Sequence, residues 1–139
     1  MRVFIDTNVL LDVLELRMPH YEFSSQIWAL AESGRLEGSI SAISFNNIYY
    51  LIKKHCNKPS AQRAVEIMNA IFNMVSLDQD IMGKSIEAKS PDFEDSIQFF
   101  SALKANANFI ITRNVNDFPQ TVIPVVSPEN FLARWFEDA

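Results

Sequence analysis

Apolar positions in this chain recur with two periods, and the period changes seven times. Val3-Phe4-Ile5 is a short unbroken apolar run, too short for a buried helix, and predicts a first strand over residues 2–6. Residues 8–16 then carry apolar side chains at helical spacing, with Thr7 or Asn8 as the cap. After the break at Arg17-Met-Pro-His20, the spacing of Phe23, Ile27, Trp28, Leu30 and Ala31 predicts an amphipathic helix from His20 to about Arg35. Ser39–Ile43 reads as a second strand. A helix follows from Ser44 with Ile48, Leu51 and Ile52 on one face. Lys58-Pro59-Ser60 starts another helix, with Pro59 or Ser60 near its cap and Ala64, Val65, Met68 and Ile71 inward.

Met74–Leu77 reads as the third strand, and Asp78 caps a helix to about Lys89. Phe93–Ala105 is the next helix and Asn108–Thr112 the fourth strand. Arg113–Pro119 is a polar loop, and Val122–Val126 is a fifth strand. Pro124 cannot donate to a ladder, which puts that strand at a sheet edge. A last helix begins at Ser127-Pro128 and carries Phe131, Leu132, Trp135 and Phe136, read as core or dimer contacts. Strands alternating with helices predict an α/β, three-layer α/β/α sandwich around a parallel sheet, as one domain over residues 1–139.

Composition narrows the function classes. With 48% hydrophobic and 21% charged residues, the 139-residue chain can bury a sizeable core. One cysteine, Cys56, makes an internal disulfide impossible and fits a reducing compartment. Asp6 and Asp12 interrupt the first apolar run, so it does not read as a signal peptide, and no run approaches the ~20 residues of a membrane span. The expected location is the cytoplasm, with no membrane partner. Twelve Lys+Arg against 17 Asp+Glu give a net charge of −5. That argues against nucleic-acid binding through bulk positive charge. It leaves open an enzyme whose acids hold a divalent cation.

In an open α/β sheet, ligands bind beyond the carboxyl ends of the strands. Three acid-bearing stretches fall there: Asp6 after the first strand, Asp92-Phe-Glu-Asp95 at a helix start, and Asn114-Val-Asn-Asp117 after the fourth strand. Strands one and four are neighbours if the winding reverses between them, and the three stretches then line one crevice. Each also has a plainer reading. Asp92 suits an N-cap, Glu94 and Asp95 suit the helix dipole, and Asp117 suits a turn. Clustered carboxylates without a matching cationic cluster repel one another unless a counter-charge arrives. Hard divalent cations with oxygen ligands supply one. Lys53, Lys54, Lys104 and Arg113 are the cations expected nearest the crevice.

These motifs resemble a known family. Ile5-Asp6-Thr7-Asn8-Val9-Leu10-Leu11-Asp12 is similar to the opening of PIN domains. Asp92-Phe93-Glu94-Asp95 with Ala102-Leu103 is similar to their central acidic helix start, and Ile110-Ile111-Thr112-Arg113-Asn114 with Asp117-Phe118-Pro119 to the end of their fourth strand. The resemblance implies a five-stranded parallel sheet of order 3-2-1-4-5. It implies a metal-dependent nuclease acting on RNA with Mg²⁺ or Mn²⁺, of the VapC type, and hence the toxin of a toxin–antitoxin pair. It further implies an antitoxin protein and a second copy of the chain as partners. Carried over by position, Asp6, Asp95 and Asp117 are the catalytic acids and metal ligands. Asn114 and Asn47 join them at the metal, and Thr112, Arg113 and Asn8 contact substrate. The family's usual Glu early in the helix after strand two is here Asn46 or Asn47, with Asn47 the better match. The alternative reading is therefore a PIN-fold nucleic-acid-binding protein with weak or absent catalysis. A dehalogenase-like phosphotransfer enzyme fits less well, since Asp6-Thr7-Asn8 lacks the second Asp that such enzymes place two residues on.

Overall fold

Val3, Phe4 and Ile5 are 0%, 0% and 1% exposed, as a central strand covered on both faces requires. They form β1 (Arg2–Ile5), the middle of the sheet in a computed structural model that describes residues 1–119 and 122–138. Residues 120, 121 and 139, included in the one-domain expectation, lie outside the described residues. Along the chain follow α1 (Thr7–Leu14), α2 (Tyr21–Glu32), β2 (Glu37–Ser41), α3 (Ala42–His55), α4 (Lys58–Ile71), β3 (Asn73–Val75), α5 (Gln79–Glu87), α6 (Phe93–Lys104), β4 (Phe109–Ile111), a 3-10 turn (Val115–Asp117), β5 (Val125–Val126) and α7 (Pro128–Asp138).

The sheet has five strands in the order β3-β2-β1-β4-β5, and every pairing is parallel. The expected fold class and strand order are those observed. Strand alternation divides the core in two. Val3 and Ile5 pack with Leu10, Ile27, Ile48, Met68 and Phe131, from α1, α2, α3, α4 and α7. Phe4 and Ile110 pack on the other face with Ile81, Ile97, Phe99 and Ala102 of α5 and α6.

Element boundaries differ from the sequence expectation where a cap or a backbone donor intervenes. β2 runs two residues earlier than Ser39–Ile43, because Ser41 leaves the strand to cap α3, accepting from the Ile43 amide at 3.2 Å. β3 ends at Val75 rather than Leu77, ahead of Asp78, which caps α5 as expected. The cap of α4 is Asn57, accepting from the Ser60 amide at 2.8 Å, with Pro59 inside the first turn. The cap of α1 is Asp6 rather than Thr7 or Asn8. β5 is only Val125–Val126. Pro124 just before it has no N–H, yet its carbonyl accepts from the Ile110 amide at 3.0 Å, at the edge where proline is tolerated.

Gly38 of β2 sits where α2 and the Phe72 ring close over the sheet. A Cβ there would lie 2.9 Å from Phe72 Cδ1 and 3.4 Å from Ala31 Cβ. Phe72 is itself held edge-on to Trp28, with ring centroids 5.0 Å apart. Gly38→Ala is expected to lower stability by about 1–3 kcal/mol through overpacking, read as a reduced urea midpoint with an unchanged slope. An unchanged midpoint would show that the Phe72 ring yields freely.

Candidate active site

Asp6 is placed by backbone before its side chain is considered. Its N–H extends the β1–β4 ladder by donating to the Ile111 carbonyl at 3.0 Å, and its carbonyl accepts the Val9 amide at 3.1 Å in the first turn of α1. The carboxylate is therefore held at the carboxyl end of the central strand and is 6% exposed. One oxygen, Oδ1, accepts from the Thr7 amide at 2.8 Å; the other, Oδ2, accepts from the Thr112 hydroxyl at 2.7 Å. Thr112 Oγ1 also accepts from the Asn114 amide at 3.0 Å, and Asn8 bridges to Thr112 Oγ1 and the Arg113 amide at 3.4 Å each. The loop after β4 is thus pinned to the loop after β1.

From the far side comes the start of α6. Asp92 caps it, accepting from the Asp95 amide at 3.1 Å, which is the plainer of its two expected roles. Glu94 and Asp95 follow in the first turn, where the helix dipole favours negative charge. Asp6, Glu94, Asp95, Asn47, Asn8 and Asn114 line one cavity of about 410 Å³, with Leu11, Tyr50 and Leu51 as its apolar wall. Asn46 is exposed, whereas Asn47 is half-buried and lines the cavity. The floor is a buried hydroxyl pair, Thr7 and Ser44 at 2.7 Å, capped by Gln98 Nε2 donating to both at 2.9 and 3.2 Å. These three side chains tie α1, α3 and α6 together beneath the acids.

The expected residues do not all meet. Asp117 is exposed and lines a neighbouring cavity of about 370 Å³ that shares Asp95 with the first. Its charge reaches Asp95, which stands between the two spaces. Thr112 is fully buried behind Asp6, and Arg113 turns away to pair with Asp12, Nε to Oδ2 at 2.8 Å. Asp12 is 0% exposed and also accepts from the Ser24 hydroxyl at 3.1 Å, so Arg113 closes a buried charge. Lys104 pairs with Asp78, and Lys53 and Lys54 are exposed in the last turn of α3. None of the four cations expected near the crevice lines the acid cavity.

Uncompensated charge appears in the acids themselves. Burial, only partly offset by the Thr112 and Thr7 hydrogen bonds, raises Asp6 from the ordinary 3.8 to about 6; the charges of Glu94 and Asp92 add to it. Burial and then the charges of Asp92, Asp6, Asp117 and Glu94 push Asp95 up to about 7. The donor set is all oxygen, which suits a hard divalent cation. Among the described residues no three acidic, His or Cys side chains close into a cage tight enough to hold a metal unaided. The set fits a cation such as Mg²⁺, which takes one or two carboxylates and keeps its remaining places for water and phosphate.

Sequence reasoning missed Thr7, Ser44, Gln98 and Tyr50. Hydroxyls and an amide on otherwise amphipathic helices look like solvent-facing positions until another helix covers them. The sequence offers Glu94 both for the helix dipole and, with Asn47, as a residue to make up for the family's missing Glu. Its proximity to the Asp92 and Asp95 positions was the available signal.

A family model described as PIN domain matches residues 2–116. The chain is 25% identical to Ribonuclease VapC1 of Aquifex aeolicus (strain VF5), over 96% of this chain and 95% of that protein. Among solved structures, it is similar to the toxin–antitoxin complex from Klebsiella pneumoniae, with a TM-score of 0.66 and 24% identity over 91% of this chain and 97% of that one. It is similar in fold to VapBC-1 from nontypeable Haemophilus influenzae, with a TM-score of 0.68 and 18% identity over 93% and 99% of the two chains. Among the described residues no helix is long and apolar enough to cross a membrane.

Two outcomes follow from the raised acids. Ionising Asp6 and Asp95 costs the folded state, so their contribution to metal-free stability is greatest below 3.8 and is lost as pH climbs through about 6 and about 7. Chemical denaturation without metal should show a decline over that window that Asp95→Asn flattens; an unaltered profile in the variant would refute it. Thr112→Val keeps the side-chain shape but removes the donor to Asp6 Oδ2. Carboxyl-carbon NMR titration should then place the Asp6 midpoint higher than in the unmodified chain.

Proposed function

This chain belongs to the PIN domain family, and from that premise we propose that its acidic crevice is the active site of a divalent-metal-dependent ribonuclease. The observation that carries the reading is the convergence of Asp6, Glu94 and Asp95 on one cavity that no cationic side chain among the described residues lines, with Asp6 and Asp95 raised by burial and by their neighbours. The relative named a ribonuclease, alignable over 96% of this chain, supports the same substrate class. Mg²⁺ or Mn²⁺ is the proposed cation, on the oxygen-only donor set. Asp6 and Asp95 would hold it, with Asn47 and Asn114 as neutral oxygen donors from the same cavity. Asp117 would act on it through Asp95, from the adjoining space.

Such a cation, when bound, activates water and stabilises the charge that develops on a phosphodiester under attack. The chain's own residues do the positioning. The Thr112 hydroxyl and the Thr7 amide hold the two Asp6 oxygens from behind, so the carboxylate meets a ligand in a set orientation. Asn8 stabilises the β4 loop against α1 and presents its amide edge at the cavity, where phosphate or ribose can be contacted. Arg113, paired with Asp12, lines a second space of about 210 Å³ next to His20 and Ser127, which suits a more distant phosphate than the one cleaved. Tyr50, 62% exposed on the cavity wall, offers a face for a base.

We further propose that the protein is the toxin of a toxin–antitoxin pair, a reading supported by its similarity to the toxin–antitoxin complex from Klebsiella pneumoniae. Its partners would then be a small antitoxin protein and a second copy of the chain. Phe136, 57% exposed near the end of α7, is available to the second copy. The alternative, an RNA-binding protein without catalysis, draws on the amide at Asn47 and predicts binding without cleavage.

Incubating RNA with the purified chain and Mg²⁺ or Mn²⁺ separates the two readings. Cleavage is expected to require the cation and to fall about 10³-fold in Asp6→Ala, on the order of 4 kcal/mol of barrier. Equal cleavage by the two proteins, or cleavage that survives a chelator, would remove the active-site assignment.

A further inference from the structure

Beside the acid cavity lies the space of about 370 Å³ that shares Asp95 with it, and its lining is of another kind. Phe99, Phe100 and Phe118 form an apolar side, and Ser96, Asn116 and Asp117 a polar one. Among the described residues no Lys, Arg or His lines it, so nothing there attracts a phosphate. Phe100 is half-buried and held edge-on to Phe99, with ring centroids 5.2 Å apart. Ser96 is 7% exposed, yet its hydroxyl has no partner among the described residues. Asp117 ends the 3-10 turn that follows β4, with its own amide donating to the Asn114 carbonyl at 3.0 Å. No described residue donates to its carboxylate.

A flat, neutral group with N–H donors on its edge suits rings on one side and free acceptors on the other. Single-stranded RNA offers such groups, since its unstacked bases pack on aromatic side chains and hydrogen-bond through their Watson–Crick edges. A phosphodiester held at Asp6 and Asp95 brings a neighbouring base to the far side of Asp95, where this space opens. The ionised Asp117 carboxylate can only accept. Guanine alone among the common RNA bases carries two adjacent N–H donors on that edge, at N1 and the 2-amino group. The others set an acceptor beside their donor. We propose that this space receives a guanine next to the cleaved bond, with Asp117 accepting from N1–H and the 2-amino group and Asn116 or Ser96 donating to O6. A cationic side chain of a protein partner fits less well, because the amide and hydroxyl donors would find no acceptor on it. The proposal rests on the ribonuclease reading above and adds the base that is recognised beside the cut.

The test titrates guanosine, inosine and adenosine monophosphates into the ¹⁵N-labelled full chain without metal, so that the readout is binding rather than cleavage. The three share one phosphate and differ only in the base. Guanosine monophosphate is expected to shift the amide signals of Ser96, Asn116 and Phe118. The inosine nucleotide, which lacks only the 2-amino group, should bind about tenfold more weakly, as should the adenosine nucleotide. In Asp117→Asn, an isosteric change at an exposed position, the guanosine-to-inosine ratio should fall below about twofold. Equal affinity for all three nucleotides, or an unchanged ratio in Asp117→Asn, overturns the proposal. So does an arginine-containing peptide that shifts these amides while the guanosine nucleotide does not, since the space then takes a cationic partner. An RNA of A and U with a single G, incubated with the chain and Mn²⁺, separates this proposal from the reading it rests on. Cleavage beside the G is expected. Cation-dependent cleavage with no guanosine binding removes the base site alone. Guanosine binding as expected, with no cleavage of any RNA, leaves the base site standing and removes the ribonuclease.

Discussion

The hydrogen bond from the Thr112 hydroxyl to Asp6 Oδ2, 2.7 Å long, joins the two strand ends on which the site depends. β1 and β4 are 106 residues apart in the chain at this point and adjacent in the sheet. Their parallel pairing ends in the Asp6 amide bonded to the Ile111 carbonyl, so the acid and its donor leave the ladder side by side. A carboxylate that is 6% exposed would be costly without such partners. With two donors it is tolerated yet still raised to about 6. Asp6 is therefore held rigidly, and it stays short of compensation on the side facing the cavity.

That deficit extends through the surroundings. The first turn of α6 adds Glu94 and Asp95 to a space that no cationic side chain among the described residues lines, while two of the cations expected near it are paired elsewhere, Arg113 to Asp12 and Lys104 to Asp78. A fold optimised for stability alone would put a lysine or arginine into such a cluster. Its absence is the pattern of a site that gives up stability for function, where an incoming cation relieves the repulsion the protein has stored. The buried Thr7–Ser44–Gln98 contacts beneath have the opposite effect, locking α1, α3 and α6 so that the acids cannot drift apart.

Much of the scaffold was legible because its signals are local. An unbroken apolar run bounded by polar residues specifies a buried strand, as at Val3–Ile5 and Phe109–Ile111, and Pro124 alone marked an edge. Boundaries slipped where a side chain competes with the backbone. Ser41 ends β2 to cap α3, and Asp6 takes the cap of α1 from Thr7 and Asn8, choices that depend on which hydroxyl or carboxylate has a free amide within reach. The acids at Asp6 and Asp95 stood out because strand ends and helix starts are positions that local pattern defines.

By itself the sequence determined the α/β class and the delivery of acids to one end of the sheet, since each follows from periodicity and turn chemistry within about a dozen residues, whereas the strand order was implied only by the PIN resemblance. Only the tertiary structure decided which acids share a space. Asp117 faces a neighbouring cavity, Arg113 closes onto Asp12, and Asn47 meets Glu94 from 47 residues away. Those outcomes turn on differences of a few ångströms between packed helices, which no pattern along a single element records.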